Sequence, residues 1–487
     1  MRTTAQRTAM ETAMMLKSLR VWARTVQINM GTSEIIFDLS QFMPEPPVSE
    51  PKICRKDFYI MFDNVTKLLT SCTCGKKHSL LTDECVVDNN CESAMKQYIA
   101  GRGFSSPVIV CDENTEKFTA NMTAQFEAKV VTVSGHAHAT EVYTAQVNEF
   151  IDSVKPDVLI ACGSGSVHDI TRYCAFEKKI PFISYPTAAS VDGFVSGVAA
   201  MTWYGQKLTF ESAPPIAVFA SPAVFCTAPD RLTASGVGDV FGKYTSLFDW
   251  KIGKILTGEY YCEEIAGLEV DAMNDLTEVM LHRDAYTAED YTTRVMNALL
   301  LSGLAMQLAG NSRPASGAEH HMSHLWEMAR INEDTDALHG EKVAVGLMAV
   351  LRTYKKYLAN VDLDAIRAID AAKVMDRAYL APVYGELTDG ILKENMPDGT
   401  PASSSLSKIR IDDADATLAA IREAAQDLPD ADELEKLLKI AGATLTTAEV
   451  GLPAEDGFVE TSLTYAPYVR NRLSLLKVIK AAQLCAE

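Results

Sequence analysis

The chain is short of basic residues relative to acidic ones. Among its 487 residues, 45 are Lys or Arg and 64 are Asp or Glu, which gives a formal net charge of −19. This balance argues against a nucleic-acid partner, because binding a phosphate backbone requires clustered Lys and Arg. It leaves small anionic ligands open, since one local cation can hold a phosphate group whatever the net charge.

The chain also lacks a clean apolar run long enough for a membrane span. Two stretches without charged residues, 212–229 and 295–312, come nearest. The first contains four prolines, and the second contains Asn297, Gln307 and Asn311. We therefore expect no membrane span, and we expect a buried core helix over the second stretch.

The eleven cysteines are an odd number scattered over a long chain, which does not indicate a disulfide framework. A reducing, cytoplasmic location fits this pattern best. Cys72, Cys74 and His78 could bind zinc, but the segment lacks the paired CxxC knuckles of an ordinary structural site. A loop with free thiols is the favoured interpretation, and metal binding stays open as the alternative.

Composition and hydrophobic pattern divide the chain into three parts. The segment PEPPVSEP, 44–51, reads as a linker and leaves residues 1–50 as an extension of unknown role. From 51 to 230, apolar runs of four to six residues alternate with helical segments, which is typical of buried parallel strands in βαβ units. From 231 to 487, long Ala-, Leu- and Met-rich segments predict a helical domain.

A glycine turn follows the apolar run DVLIAC at 157–162. In Gly163-Ser164-Gly165-Ser166-Val167, the glycines let the backbone approach a pyrophosphate, whose charge the N–H groups of the next helix would meet. Asp112 ends an earlier apolar run and could accept hydrogen bonds from a ribose diol. Its charge would repel a 2′-phosphate, so NAD is favoured over NADP. An ordinary tight βα turn is the alternative.

A second turn follows the apolar run PFISY and is rich in small and hydroxyl residues. Such residues suit a surface that a ligand must approach closely, although a plain Ser/Thr turn would be the default for the segment alone. The residues singled out here are Thr187, Ala188, Ala189, Ser190, Asp192 and Ser196.

Four of the nine histidines lie between 320 and 339, downstream of Asp239 in GVGD. His320 and His324 are four residues apart, so on a helix both would face one side. One carboxylate with two imidazoles makes a three-ligand site that leaves a coordination position for water or substrate, as a catalytic metal requires.

Five motifs in order resemble the bacterial type of the sn-glycerol-1-phosphate dehydrogenase family. They are GSGSVHD, PTAASVDGFVS, GVGDVFGKYTSLFDW, SRPASGAEHHMSH and LHGEKVAVG, and the match runs from about 108 to the C-terminus. The family belongs to the superfamily of iron-containing alcohol dehydrogenases, glycerol dehydrogenases and dehydroquinate synthases. The resemblance implies a Rossmann-like α/β nucleotide-binding domain (51–230), an all-α metal- and substrate-binding domain (231–487), and an active site in the cleft between them.

The resemblance further implies an NAD(P)- and metal-dependent enzyme of phospholipid biosynthesis. It would interconvert glycerol 1-phosphate and dihydroxyacetone phosphate by hydride transfer, in the cytoplasm and as a homo-oligomer. Zinc is the favoured metal, with nickel or iron as alternatives. A dehydrogenase for glycerol or another polyol is the nearest rival, followed by a cyclase resembling 3-dehydroquinate synthase and by a non-catalytic binding module.

Residue roles also follow from the resemblance. The implied metal ligands are Asp239, His320 and His339, with His320 preferred to His321 because it directly follows Glu319 and stands four residues before His324. Asp192, Asp239 and His324 would touch the substrate, and Asp192 and His324 would orient hydroxyls or relay protons. Arg313 and Lys207 are candidates for the substrate phosphate. The implied cofactor contacts are Asp112, Gly163, Ser164, Gly165, Ser166, Val167, Thr187, Ala188, Ala189, Ser190 and Ser196.

Overall fold

The computed structural model describes residues 25–30, 33–38, 56–204, 206–328 and 336–486. Its contacts divide the chain into two compact units, Met1–Lys52 and Ile53–Glu487. In the first unit, β1 (Thr25–Met30) and β2 (Ser33–Asp38) pair antiparallel. The proline-rich linker predicted at 44–51 lies outside the described residues, and the role of residues 1–50 stays open.

The larger unit is built on a six-stranded sheet in which every neighbouring pair of strands is parallel. The spatial order is β3-β10-β7-β6-β4-β5. This confirms the parallel strands that the short apolar runs predicted. The strands are β3 (Glu84–Val87), β4 (Pro107–Asp112), β5 (Lys129–Val133), β6 (Val158–Gly163), β7 (Phe182–Pro186) and β10 (Ala217–Ala220). A separate antiparallel hairpin consists of β8 (Val198–Trp203) and β9 (Gln206–Glu211).

Both faces of the sheet are covered, which explains the unbroken apolar runs. Along β6, Leu159 packs into one hydrophobic cluster and its neighbour Ile160 into another on the opposite face. A strand buried on both faces cannot alternate apolar and polar residues. The helices of this part are α1 (Lys56–Ser71), α2 (Cys91–Gly101), α3 (Thr119–Phe126), α4 (Glu141–Val154), α5 (Gly165–Lys178) and α6 (Pro222–Phe225).

The direction of strand succession reverses at β4, because β5 and β6 lie on its two sides. Cys111 of β4 is in register with Cys162 of β6. The residues that follow them, Asp112 and Gly163, therefore lie side by side at the carboxyl edge of the sheet. In open parallel sheets, ligands bind at such a switch point.

Beyond residue 231 the described segments contain helices and no strand, as the sequence predicts. The stretch 295–312 falls largely within a buried helix, α10 (Ala288–Ala309), which confirms the expectation of a core helix. No described helix is both long and apolar enough to cross a bilayer. Contacts keep 53–487 together, so the domain division near 230 stays a prediction. These helices are α7 (Asp230–Phe241), α8 (Lys243–Thr257), α9 (Glu263–Leu281), α10 (Ala288–Ala309), α11 (Ala318–Trp326), α12 (His339–Leu358), α13 (Leu363–Arg367), α14 (Ala371–Val374), α15 (Arg377–Tyr384), α16 (Thr388–Asn395), α17 (Ala414–Ala424), α18 (Ala431–Ile440), α19 (Asp456–Tyr465) and α20 (Leu475–Ala486).

Candidate active site

Three helices bring Asp239, His320 and His339 together into what we call the Asp–His–His cluster. Asp239 lies on α7, His320 on α11, and His339 is the first residue of α12. One ligand atom from each residue lies within 4.8 Å of the others. Asp239 Oδ1 is 3.3 Å from His320 Nε2, and the rings of His320 and His339 are 5.2 Å apart. The three residues implied as metal ligands thus meet at one point.

Glycines allow α7 and the start of α12 to approach so closely. A Cβ atom on Gly238 would lie 2.4 Å from the carbonyl oxygen of Gly340. A Cβ atom on Gly340 would lie 1.9 Å from the carbonyl oxygen of Ser235. Any larger residue at either position would push the helices apart and separate Asp239 from His339. This packing role of the GVGD and HGE glycines was not foreseen from the sequence.

Both histidines of the cluster are oriented by carboxylates behind them. His320 Nδ1 is 2.8 Å from Glu319 Oε1, and His339 Nδ1 is 3.2 Å from Glu327 Oε1. When Nδ1 donates to a carboxylate, the lone pair of Nε2 faces the other way, and metal-binding histidines are commonly held like this. From the sequence, Glu319 served only as a spacing marker for His320, and Glu327 was not predicted.

The electrostatics of the cluster favour a positive charge. Burial by itself would lower the pKa of His320, but the neighbouring carboxylates of Asp239 and Glu319 raise it to about 9. Burial would likewise raise the pKa of Asp239, yet Lys243 and His320 hold it well below its usual range. The same field would attract a divalent cation.

A buried lysine that was not predicted from the sequence, Lys243, links the cluster to Asp192. Lys243 Nζ lies 2.7 Å from Asp192 Oδ2 and 3.0 Å from Asp239 Oδ1. Burial favours the neutral amine, but Asp192, Asp239 and Glu269 raise the pKa of Lys243 above its ordinary value, so it is charged. The N–H of Asp192 also donates to Asp239 Oδ2 at 2.9 Å. The four-residue spacing of Asp239 and Lys243 was the available signal.

His324 borders the cluster, whereas His321 points elsewhere. The ring of His324 lies 6.2 Å from that of His320 and 6.0 Å from that of His339. Burial, together with nearby charges such as Arg470, lowers the pKa of His324 well below its usual value, so its imidazole is neutral. Neither ring nitrogen of buried His321 has a hydrogen-bond partner among the described residues. His320, the preferred candidate, is the one that faces Asp239.

The glycine turn occupies the switch point of the sheet. Gly163 ends β6, and α5 begins at Gly165. A Cβ atom on Gly163 would lie 2.6 Å from the side chain of Val167, so the turn requires glycine there. Ser164 and Ser166 are half-buried, and Val167 is buried. The backbone N–H groups that open α5 therefore stand beside the end of β4 and can meet a phosphate.

Asp112 is 9 % exposed at the end of β4. Its Oδ1 accepts hydrogen bonds from the N–H groups of Asn114 and Thr115, each at 2.9 Å. These bonds fix the carboxylate at the carboxyl edge of the sheet, next to the glycine turn.

The second turn connects the glycine turn to the Asp–His–His cluster. The N–H of Thr187 donates to the carbonyl oxygen of Gly163 at 3.1 Å. At the other end of the turn, Ser235 Oγ donates to the carbonyl oxygen of Ser190 at 3.3 Å, one helical turn before Asp239 on α7. The residues of this segment that were singled out from the sequence are all buried, namely Thr187, Ala188, Ala189, Ser190, Asp192 and Ser196. The implied cofactor and metal residues therefore form one continuous region.

Arg313 and Lys207 are the two residues that were predicted from the sequence to bind the substrate phosphate. Arg313 is 4 % exposed, and its guanidinium nitrogens bond to the Glu259 carboxylate and to the Leu473 carbonyl. Those bonds commit Arg313 to holding the chain together, so the structure does not support a role in ligand binding. The side chain of Lys207 lies outside the described residues.

The parallel sheet with its glycine turn, joined to a set of helices, is the fold of the iron-containing alcohol dehydrogenase class. Residues 86–229 match the family model described as iron-containing alcohol dehydrogenase. The fold resembles maleylacetate reductase from Agrobacterium tumefaciens, at 14 % identity and a TM-score of 0.54 over 84 % of this chain and 96 % of that one. It also resembles a 1,3-propanediol oxidoreductase, at 15 % identity and a TM-score of 0.53 over 84 % and 99 %.

Within that class, sequence relatives are named glycerol-1-phosphate dehydrogenase [NAD(P)+]. The Bacillus licheniformis protein is 32 % identical over 85 % of this chain and 93 % of its own length. The Geobacillus stearothermophilus protein is 32 % identical over 85 % and 96 %, and that of Pyrococcus horikoshii is 36 % identical over 55 % and 72 %. The chain belongs to the glycerol-1-phosphate dehydrogenase family, and the resemblance stated from the motifs is confirmed.

Proposed function

We propose that the protein is an NAD(P)- and metal-dependent dehydrogenase that interconverts sn-glycerol 1-phosphate and dihydroxyacetone phosphate. The observation that carries this proposal is the Asp–His–His cluster, whose imidazoles are oriented by carboxylates and which the turn at 187–190 connects to the glycine turn of a parallel sheet. The names of the relatives supply the substrate class. A cytoplasmic homo-oligomer serving phospholipid biosynthesis is part of the same proposal.

The donor set suits one divalent metal. Two imidazole nitrogens and one carboxylate oxygen accept zinc, nickel or iron, and we favour zinc because this donor set is common at its catalytic sites. A bound metal ion would supply Lewis-acid chemistry and lower the pKa of the C2 hydroxyl. Three protein ligands leave a coordination position for the substrate.

The sheet edge suits a dinucleotide. The N–H groups at the start of α5 would meet the pyrophosphate, and Asp112 would accept hydrogen bonds from the ribose hydroxyls. The negative charge of Asp112 favours NAD, with NADP as the alternative. The nicotinamide would supply the hydride chemistry, while the turn at 187–190 would hold the ring beside the cluster.

Asp192 and His324 are the groups we propose to handle substrate hydroxyls. The Asp192 carboxylate is oriented by Lys243 and by Ser302 Oγ at 3.0 Å, so it can accept a hydrogen bond from the substrate. The lowered pKa of His324 keeps its imidazole neutral, so a ring nitrogen can accept a hydrogen bond from a substrate hydroxyl and orient it. Lys243 acts through Asp192 and Asp239, as a positioning residue.

Arginines near the C-terminus are better placed than Arg313 to meet the substrate phosphate. Arg470 lies near enough to lower the pKa of His324, and it donates to Thr209 Oγ1. Arg472 donates to Ser312 Oγ at 2.7 Å. Both side chains are half-buried, and guanidinium groups match phosphate oxygens in geometry.

The test is NADH oxidation by the purified full chain with dihydroxyacetone phosphate or dihydroxyacetone, with and without a chelator. We expect kcat/KM to be about 10- to 100-fold higher for the phosphorylated ketone, the worth of one charge-assisted contact. Chelation should abolish turnover, and added zinc, nickel or iron should restore it.

Other outcomes would overturn the proposal. Equal rates on the two ketones would favour a polyol dehydrogenase. A reaction on a cyclase substrate without net NADH consumption would favour a dehydroquinate synthase-like enzyme. Protein that holds neither metal nor NADH would favour a non-catalytic module.

A further inference from the structure

A second group of metal-binding side chains forms away from the Asp–His–His cluster. The loop after α1 carries Cys72, Cys74 and His78, and the fold brings Cys262 to them from the residue just before α9. One ligand atom from each of the four residues lies within 4.8 Å of the others. We call this group the thiol cluster. The sequence showed three of its members with irregular spacing, and the fourth is 190 residues from Cys72.

We infer that the thiol cluster binds one structural zinc ion through three cysteine sulfurs and one histidine nitrogen. Thiolates with an imidazole form a donor set that zinc prefers, and four protein ligands close its tetrahedral coordination. With no position left for substrate, such a site holds the fold together and performs no reaction. The thiol protons pass to solvent as the metal binds.

The distances fit a tetrahedral site. Around tetrahedral zinc with Zn–S bonds of about 2.3 Å and Zn–N bonds of about 2.0 Å, ligand atoms lie about 3.5–3.8 Å apart. Cys72 Sγ is 3.5 Å from Cys262 Sγ, while His78 Nε2 is 3.2 Å from Cys74 Sγ and 3.9 Å from Cys262 Sγ. Shifts of a few tenths of an ångström would bring these atoms to one ion.

The groups around the ligands are arranged as in metal sites. His78 Nδ1 lies 2.8 Å from the carbonyl oxygen of Leu308 on α10, so Nε2 can offer its lone pair to the cluster. The N–H of Lys76 lies 3.5 Å from Cys74 Sγ, and the Tyr260 hydroxyl lies 3.2 Å from the same sulfur. Such bonds stabilise a thiolate.

Burial and backbone geometry also suit a closed site. Cys262 is fully buried and His78 is 5 % exposed, while Cys72 and Cys74 are half-buried. Gly75 adopts φ of +86°, which lets the loop turn between Cys74 and His78.

A disulfide is the main competing explanation for paired cysteines. A disulfide needs its sulfurs about 2.05 Å apart, and the 3.5 Å between Cys72 and Cys262 is well beyond that. The cysteines of the described residues are all free. A metal explains why a third sulfur and an imidazole converge on the same point.

A bound zinc ion would cross-link segments that are distant in the sequence. The zinc ion would join the loop that follows α1 to the start of α9, and His78 would extend the link to α10 through Leu308. Thr73 reinforces this, since its N–H and hydroxyl both donate to Glu264 Oε1, at 3.2 and 3.1 Å. We therefore expect the site to affect stability more than turnover.

The experiment counts metal in the full-chain protein. Zinc per chain is measured by mass spectrometry for wild type, Cys262→Ser and the control Cys226→Ser, a half-buried cysteine outside the cluster. We expect Cys262→Ser to lose one zinc per chain and to melt at a lower temperature, while kcat with fresh metal is retained. Cys226→Ser should match wild type in all three measurements.

Two measurements on wild type keep the proposal testable if Cys262→Ser fails to fold. A mercurial reagent, which attacks thiolates, should release one zinc per chain to a metal indicator and leave metal at the Asp–His–His cluster. Cobalt-substituted protein should show a sulfur-to-cobalt charge-transfer band. No zinc release, no such band, or a Cys72–Cys262 disulfide found by mass spectrometry of unreduced protein would overturn the inference.

Discussion

The two candidate metal sites among the described residues differ in their donor atoms and in whether protein ligands alone complete the coordination of a metal ion. The Asp–His–His cluster offers one oxygen and two nitrogens, and Nδ1 of each histidine lies within hydrogen-bond distance of a carboxylate. The thiol cluster offers three sulfurs and one nitrogen, and Nδ1 of its histidine lies within hydrogen-bond distance of a neutral carbonyl group. Three ligands leave room for substrate, while four do not.

This difference shows how one chain can use two sets of metal-binding residues for two roles, catalysis and structural stabilisation. The Asp–His–His cluster lies where α7 meets the turn that follows β7, and that turn connects it to the glycine turn. The thiol cluster lies where the loop after α1 meets α9. We therefore expect catalysis at the Asp–His–His cluster and structural stabilisation at the thiol cluster. Variants at the two clusters should separate these two roles.

The largest effect is expected from His320→Ala. Loss of one of three ligands should abolish metal binding at the Asp–His–His cluster and reduce kcat/KM roughly 1,000-fold or more, since Lewis-acid stabilisation is worth several kcal/mol. Zinc at the thiol cluster should stay, as measured by mercurial release. The control is His282→Ala, a half-exposed histidine that pairs with Glu278. Wild-type turnover in His320→Ala would refute the assignment.

An intermediate effect is expected from Glu327→Gln. The amide keeps the size of the side chain but weakens the charge that orients His339, and changes of this kind typically cost 10- to 100-fold in metal affinity. A chelator competition assay measures the metal dissociation constant. Glu278→Gln is the matched control, because it alters an exposed Glu–His pair outside both clusters. An unchanged constant would mean that Glu327 has no role in positioning His339.

The smallest effect is expected from Tyr260→Phe. The change removes a neutral hydroxyl from Cys74 Sγ, and such a bond contributes about 0.5–1.5 kcal/mol. Zinc affinity at the thiol cluster should therefore fall only about 2- to 10-fold, with turnover unaffected. Tyr261→Phe is the neighbouring control. A loss of turnover in Tyr260→Phe would show that the two clusters are coupled, contrary to the separation of roles.

Much of the α/β part could be predicted because its signals are local. The apolar run predicted as a strand at 157–162 is β6, Val158–Gly163, displaced by one residue. By contrast, the four-residue strand β3 and the β8–β9 hairpin were not predicted. β3 has only three consecutive apolar residues, at 85–87, against the runs of four to six that identified the other strands of the main sheet, and the hairpin lies outside that sheet.

The candidate site shows the same limit. Motifs mark Asp239, His320 and His339, which the fold brings together, yet neither Lys243 nor Glu327 beside them was predicted. A buried lysine and a surface lysine look alike in sequence, and Lys243 is recognisable only once Asp192 and Asp239 are seen around it. Arg313 shows the converse, since its motif suggested a phosphate ligand while its contacts commit it to Glu259.

Local sequence is enough to specify the glycine turn after β6, the buried strands, the donor types of the Asp–His–His cluster and the family. These features depend on residues that are neighbours in the chain or that recur in motifs. The meeting of Cys72 with Cys262, and of Lys243 with Asp192, depends on packing between segments far apart in sequence. Contacts of that kind leave no local periodicity, so they become visible only when the helices are packed around the sheet.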